Sequence, residues 1–273
     1  MKNNQHASVN FNVKALKEGA KEGYCRICGK YAALTDDHVP PKSCGNKGRT
    51  IFDVAGEKKL IMQNGFHCKT ICADCNNTLL GGDLDKEYKK VYEHVKAFKQ
   101  SGLYLPGNLL EIDVDIKKFI RCIIAHFFAV SVYNRDLSIK EVLSSKITVD
   151  YIYENCIQFV LGEEPLPGNV DFFYWYYPYS NIMINPFFSY TLHAFTKQKR
   201  DIYGAMIKFF PIAVFILDKK SSTAYPQSRK VDFSLNRLYL NVHNPPPQKY
   251  LEKVMHNDDL IITSPPVMVD AER

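Results

Sequence analysis

Cys25-Arg26-Ile27-Cys28-Gly29-Lys30, Leu34-Thr35-Asp36-Asp37-His38-Val39-Pro40-Pro41-Lys42-Ser43 and Cys72-Ala73-Asp74-Cys75-Asn76-Asn77 are the stretches that decide how this chain folds. The first and third each hold a Cys-x-x-Cys turn, which presents two sulfurs to one ion, so the two together have the ligand set of a tetrahedral four-thiolate zinc site. One such pair would also suit a redox couple. Two pairs in knuckle-like sequence point to structural zinc held by Cys25, Cys28, Cys72 and Cys75. Zinc at such a site contributes on the order of 10 kcal/mol to folding, enough to hold a module whose own core is small. A plain zinc ribbon separates its pairs by about 15–20 residues. Here residues 29–71 lie between them, so something further is built into the gap.

The middle stretch is a strand-like run, then an acidic residue beside a histidine, then a proline-stiffened turn. Adjacent side chains on a strand point to opposite faces, so Asp37 and His38 would serve two roles, one toward a metal and one toward a water. Asn76 follows Cys75 directly. With Cys75 fixed by zinc, the Asn76 carbonyl oxygen is placed rigidly and suits a hard cation such as Mg2+. Asp37 and Asn76 would then be the only protein ligands, leaving positions open for water and a phosphodiester oxygen. Taken alone, His38 reads as a hydrogen-bonded structural histidine and Asn76 as a turn residue or helix cap. The zinc frame around them favours the chemical reading.

As a set, these residues resemble the HNH nucleases (His-Me finger, or ββα-metal), in particular the zinc-containing branch typified by phage endonuclease VII. The resemblance covers about residues 24–90. It implies that Asp37 and Asn76 bind a catalytic divalent metal, Mg2+ or Mn2+, that His38 deprotonates the water attacking a phosphodiester, and that the four cysteines are structural. The chain departs from the family pattern in three places. His67 stands near the position of the middle asparagine, Asn76 replaces the last histidine, and the loop from Gly45 to Gly65 is long. His67 is thus a candidate for orienting the loop. Lys42, with Lys47, Arg49, Lys58 and Lys59, is a candidate phosphate contact.

Outward from this module, Leu84, Tyr88, Val91, Tyr92, Val95 and Phe98 recur at helical spacing and predict an amphipathic helix over 83–100. Gly and Pro in 101–115 place a boundary there, dividing an HNH module (1–100) from a second domain (101–273). Residues 116–134, apolar almost all round, predict a buried helix, and 148–161 a second. Short runs rich in Tyr, Phe, Val and Ile at 170–177, 181–185, 189–196, 203–208, 212–218 and 236–242 read as strands. The expected class is α+β: a zinc-bound ββα-metal module, a helical segment, then a mainly antiparallel α+β domain. The tail after Asn244, with its proline clusters, reads as irregular. The aromatic run Phe172–Tyr177 reads as strand core, with base stacking as the alternative. Cys44, Cys68, Cys122 and Cys156 read as ordinary thiols, and His126 and His193 as core or surface histidines.

The net charge of +6 is unevenly spread. Residues 1–100 hold 17 Lys and Arg against 11 Asp and Glu, while the rest hold 18 of each, so the excess lies in the module that would meet nucleic acid. The first twenty residues contain no signal-length apolar run, and 119–133 is too short and too interrupted to span a bilayer. The expectation is a soluble cytoplasmic protein with no membrane partner. The function expected is a metal-dependent endonuclease acting on nucleic acid, with DNA favoured over RNA, in a phage-defence, restriction or mobile-element setting. Cutting both strands with one site per chain would favour a homodimer. The competing readings are a zinc-stabilised module that binds nucleic acid without cutting it, and a protein-interaction scaffold stapled by zinc.

Overall fold

In the computed structural model, residues 21–54, 60–130, 148–163, 166–193, 199–219, 228–248, 260–261 and 267–271 are described. The fold is α+β, with every strand pairing antiparallel among these residues. Strands β1 (Glu22–Tyr24), β2 (Tyr31–His38) and β5 (His67–Cys72) form a three-stranded sheet with β2 in the middle. Between β2 and β5 the chain leaves for a hairpin, β3 (Thr50–Val54) and β4 (Leu60–Met62). After β5 comes a wide, π-type helical segment, Asp74–Leu84, which runs directly into α1 (Asp85–Ser101).

The π segment has a local cause. A Cβ on Gly81 would stand 3.3 Å from the carbonyl oxygen of Asn76, and one on Gly82 3.2 Å from that of Asn77. Two consecutive glycines let the backbone approach those carbonyls with the five-residue offset of a π turn. Helix α1 buries Tyr88, Val91 and Val95 along one stripe, as its periodicity predicts, and Gly102 ends it in the left-handed conformation.

Helix α2 (Ile116–Val130) is buried on nearly every side because it packs against α1, the π segment, β5 and α3 (Thr148–Leu161). Its Phe119, Ile120, Ile123, Ile124 and Phe127 are all fully buried. Each such side chain is worth about 1.5–3 kcal/mol of transfer free energy, which makes α2 the main apolar link between the two parts of the chain. Residues 131–134 of the expected helix lie outside the described residues.

Among the described residues the large sheet holds nine strands. Its order is β11 (Arg229–Lys230), β7 (Val170–Tyr176), β10 (Ile212–Asp218), β9 (Lys199–Phe209), β8 (Ile182–His193), β14 (Val267–Ala271), β3 and β4, with β13 (Leu260–Ile261) also beside β8. β6 (Leu109–Asp113) pairs with β12 (Arg237–Asn241) in a separate ribbon. The run expected at 181–185 and the described part of that at 189–196 belong to one strand, whose register shifts between Asn185 and Phe188, while residues 194–196 lie outside the described residues. Phe172 to Tyr177 are all buried, so the aromatic run belongs to the core and is not available to stack on bases.

One expectation is overturned. The tail after Asn244 is not irregular throughout, because β14 runs between β8 and β3 and joins the hairpin of the first module to the sheet of the second half. A hydrophobic run too short to show a period at 267–271 gains its identity as a strand from its neighbours. The core is continuous across the 100/101 boundary, with Tyr88 of α1 lying between Phe119 and Phe209. No described helix is long and apolar enough to cross a membrane.

Candidate metal centre

The four cysteines meet. Cys25 directly follows β1, Cys28 sits in the knuckle turn, Cys72 ends β5 and Cys75 lies in the first turn of the π segment; their sulfurs all lie within 4.8 Å of one another. Cys28 Sγ and Cys72 Sγ are 3.8 Å apart. The knuckle is shaped by backbone bonds from the Gly29 amide to the Cys25 carbonyl (2.9 Å) and from the Cys25 amide to the Lys30 carbonyl (2.9 Å). Tyr153 of α3 donates to the carbonyl of Ile27 and so fastens the knuckle to the second half. A hydrogen bond with Cys75 draws the Cys25 thiol down to about 5, while Cys75 is pushed up by the same bond and by burial, and burial raises Cys28 to about 11. Of these three, Cys25 forms a thiolate most readily, while Cys28 and Cys75 hold their protons more tightly. Four sulfurs gathered this closely are a donor set suited to zinc, whose binding is coupled to proton release from the thiols.

Asp37 and His38 point to opposite faces of β2, as the strand geometry requires. Asp37 is buried and directed inward, while His38 is half-buried. The ladder pairs Asp37 with Cys68 and His38 with His67, after a bulge between Thr35 and Asp36 that puts both Leu34 and Asp37 on the inner face. His38 Nε2 lies 3.0 Å from the carbonyl oxygen of Asn64, and its ring is 5.1 Å from that of His67. A carbonyl only accepts, so in the neutral imidazole Nε2 carries the proton and Nδ1 carries the lone pair. Partial burial lowers the His38 pKa below its ordinary value, with the charges of His67 and Lys42 acting in the same direction. His67 Nδ1 donates in turn to the carbonyl of Gly65, 3.0 Å away.

Asn76 packs against the same strand from the helical side. Its amide nitrogen donates to Thr35 Oγ1 (3.0 Å) and to the carbonyl of Asp36 (2.9 Å). Thr35 passes its own proton to the carbonyl of Ile71. Both Asn76 bonds use nitrogen, so neither commits the carbonyl oxygen, the atom a hard cation takes. Asp37 Oδ2 lies 3.2 Å from Nδ1 of His126 on α2, and His126 Nε2 lies 3.0 Å from Asp85 Oδ1 on α1. Burial raises the Asp37 pKa. Burial alone would lower that of His126, but the flanking carboxylates and Cys122 outweigh it and hold it well above the ordinary value.

Lys42 is exposed in the short turn Lys42–Cys44, close enough to His38 to influence its charge; Lys47 is also exposed, and Lys58 and Lys59 lie outside the described residues. Cys68 is fully buried opposite Asp37 and takes no part in the four-sulfur cluster.

Several residues of the site carry little local signal. Asn46 is one. Its amide nitrogen donates to the carbonyls of Pro40 and Phe66, each at 2.8 Å, and its oxygen accepts from the Phe66 amide at 2.7 Å. It thereby clamps the turn after His38 to the chain entering β5, the loop-orienting task anticipated for His67. Gly65 is required beside it, because at φ +84° a Cβ there would stand 2.3 Å from the Asn46 carbonyl oxygen. Replacing Asn46 with Ala is expected to cost about 2–4 kcal/mol, since several buried backbone groups lose their partner. Denaturant unfolding tests this, and a loss below about 1 kcal/mol would mean that water takes the place of the amide. His126, Asp85 and Cys122 form the other unanticipated group.

Compared with protein-family models, with curated proteins and with solved structures, the chain gives no significant match.

Proposed function

We propose that the chain is a metal-dependent endonuclease of the HNH kind, hydrolysing phosphodiester bonds in DNA with His38 as general base. The observation that carries this reading is the tautomer of His38. With Nε2 committed to the Asn64 carbonyl, the neutral ring offers the Nδ1 lone pair, on a half-exposed side chain at one end of the β2–β5 pair whose other end carries Cys72. A histidine whose pKa lies below the usual value of about 6.5 is an unprotonated base at neutral pH.

In this reading residues 24–90 form the ββα-metal module, with β2 and β5 as the two strands and the π segment with α1 as the helix. A catalytic Mg2+ or Mn2+ would be held by the Asn76 carbonyl oxygen and the Asp37 carboxylate. Such an ion would neutralise charge developing on the phosphate. Asn46 holds the His38 turn in place, and Lys42 contacts the substrate backbone.

A second reading, a zinc-stabilised module that binds nucleic acid without cutting it, is favoured by one observation: Asp37 is buried and its carboxylate faces the interior. Incubating purified zinc-loaded protein with plasmid and branched DNA, with and without Mg2+ or Mn2+, separates the two. Nicking that requires the added ion supports the nuclease. DNA binding at low salt with no cutting under any ion supports the binding module, and no affinity at all would leave the zinc as a protein-interaction staple.

A further inference from the structure

We propose that Asp85, Cys122 and His126 form a second metal site, taking zinc or another late first-row divalent ion, with Asp37 as the carboxylate that orients His126. The three donors come from two helices. Cys122 and His126 are four residues apart on α2 and therefore share one face, and Asp85 opens α1 opposite them. Their ligand atoms all lie within 4.8 Å of one another, with His126 Nε2 to Asp85 Oδ1 at 3.0 Å and Cys122 Sγ to Asp85 Oδ1 at 3.4 Å. Ligands bound tetrahedrally at about 2.0–2.3 Å from an ion stand about 3.3–3.5 Å apart, so little movement is needed to admit one.

The surroundings have the form of a metal site's outer shell. A ligating histidine commonly gives its second nitrogen to a carboxylate, which fixes the tautomer and raises the basicity of the ligating nitrogen. Asp37 stands in that position, 3.2 Å from Nδ1 and almost wholly buried. Cys122 and His126 are fully buried, whereas the Asp85 side chain is 20% exposed, which leaves one side from which an ion and a fourth ligand can approach. The mixture of sulfur, nitrogen and oxygen donors favours zinc, cobalt or iron over magnesium.

This site does not depend on the nuclease reading, and its test does not use activity. Protein dialysed in zinc-limited buffer should retain two zinc ions per chain by native mass spectrometry. Cys122→Ser and His126→Gln should each retain one, while His38→Ala and Asn76→Ala retain two. Loading with 113Cd should give two resonances, of which the four-thiolate signal survives in Cys122→Ser. A wild-type chain holding a single ion, or a folded Cys122→Ser still holding two, overturns the proposal and leaves the cluster as a hydrogen-bonded relay.

Discussion

Replacing His38 with Ala is expected to lower the single-turnover rate of DNA cleavage by about a hundredfold or more, the usual contribution of a positioned base. Zinc content and melting temperature should stay near those of the wild type. His38 is half-buried and makes one hydrogen bond, to the Asn64 carbonyl, whose net worth is about 1 kcal/mol. The pH profile provides an independent check. Partial burial depresses the His38 pKa, and the base works only when unprotonated. The rate should therefore climb with pH through a midpoint below the ordinary value of about 6.5 and level off above it. In His38→Ala that rising limb should vanish. Undiminished cutting by the variant, or a midpoint above 6.5 in the wild type, would remove His38 from the role of base.

The largest effect on stability is expected at the four-cysteine cluster. Cys72→Ser or Cys25→Ser should abolish zinc retention there and unfold the β1–β2–β5 sheet. The lost binding energy, on the order of 10 kcal/mol, is comparable with the whole stability of a typical domain. Cys156 serves as a control, being fully buried and outside both candidate ligand clusters. Cys156→Ala should cost only about 1–2 kcal/mol, the cost of a small cavity. Zinc analysis and thermal unfolding by circular dichroism would distinguish the cases. A Cys72→Ser protein that melts like the wild type would show that packing, without zinc, holds the module.

Much of this arrangement is legible along the chain because it is written locally. The two Cys-x-x-Cys turns meet in space as their spacing suggests, and the periods of α1 and α2 and the aromatic texture of β7 and β10 correspond to real elements. The rest depends on contacts that no local pattern encodes. Strand β14 is defined by β3 and β8, which lie far from it in sequence. The Cys122 and His126 pair has a readable four-residue spacing, but on a helix apolar almost all round it looks like core until the packing of α1 against α2 brings Asp85 to it. Asn46 resembles an ordinary turn residue in a Gly-rich loop, and only the folded loop shows its three hydrogen bonds. Asp37 and His38 take opposite faces as expected for a strand, yet the nearest polar partner of Asp37 belongs to the second half of the chain.

The placement of β14 between β8 and β3 also sets an order of events during synthesis. Strand β3 is made before its partner β14, which follows only after residues 55–266 have emerged. Until then the edge of β3 is open, the joining of hairpin to sheet is incomplete, and the loop carrying the His38 turn lacks its support from that side. Closure over so long a separation is slow compared with forming the zinc knuckle, whose ligands are closer in sequence. The nascent chain would therefore hold its knuckle before its sheet, and the hairpin that follows the His38 turn would reach its finished setting only once β14 has arrived.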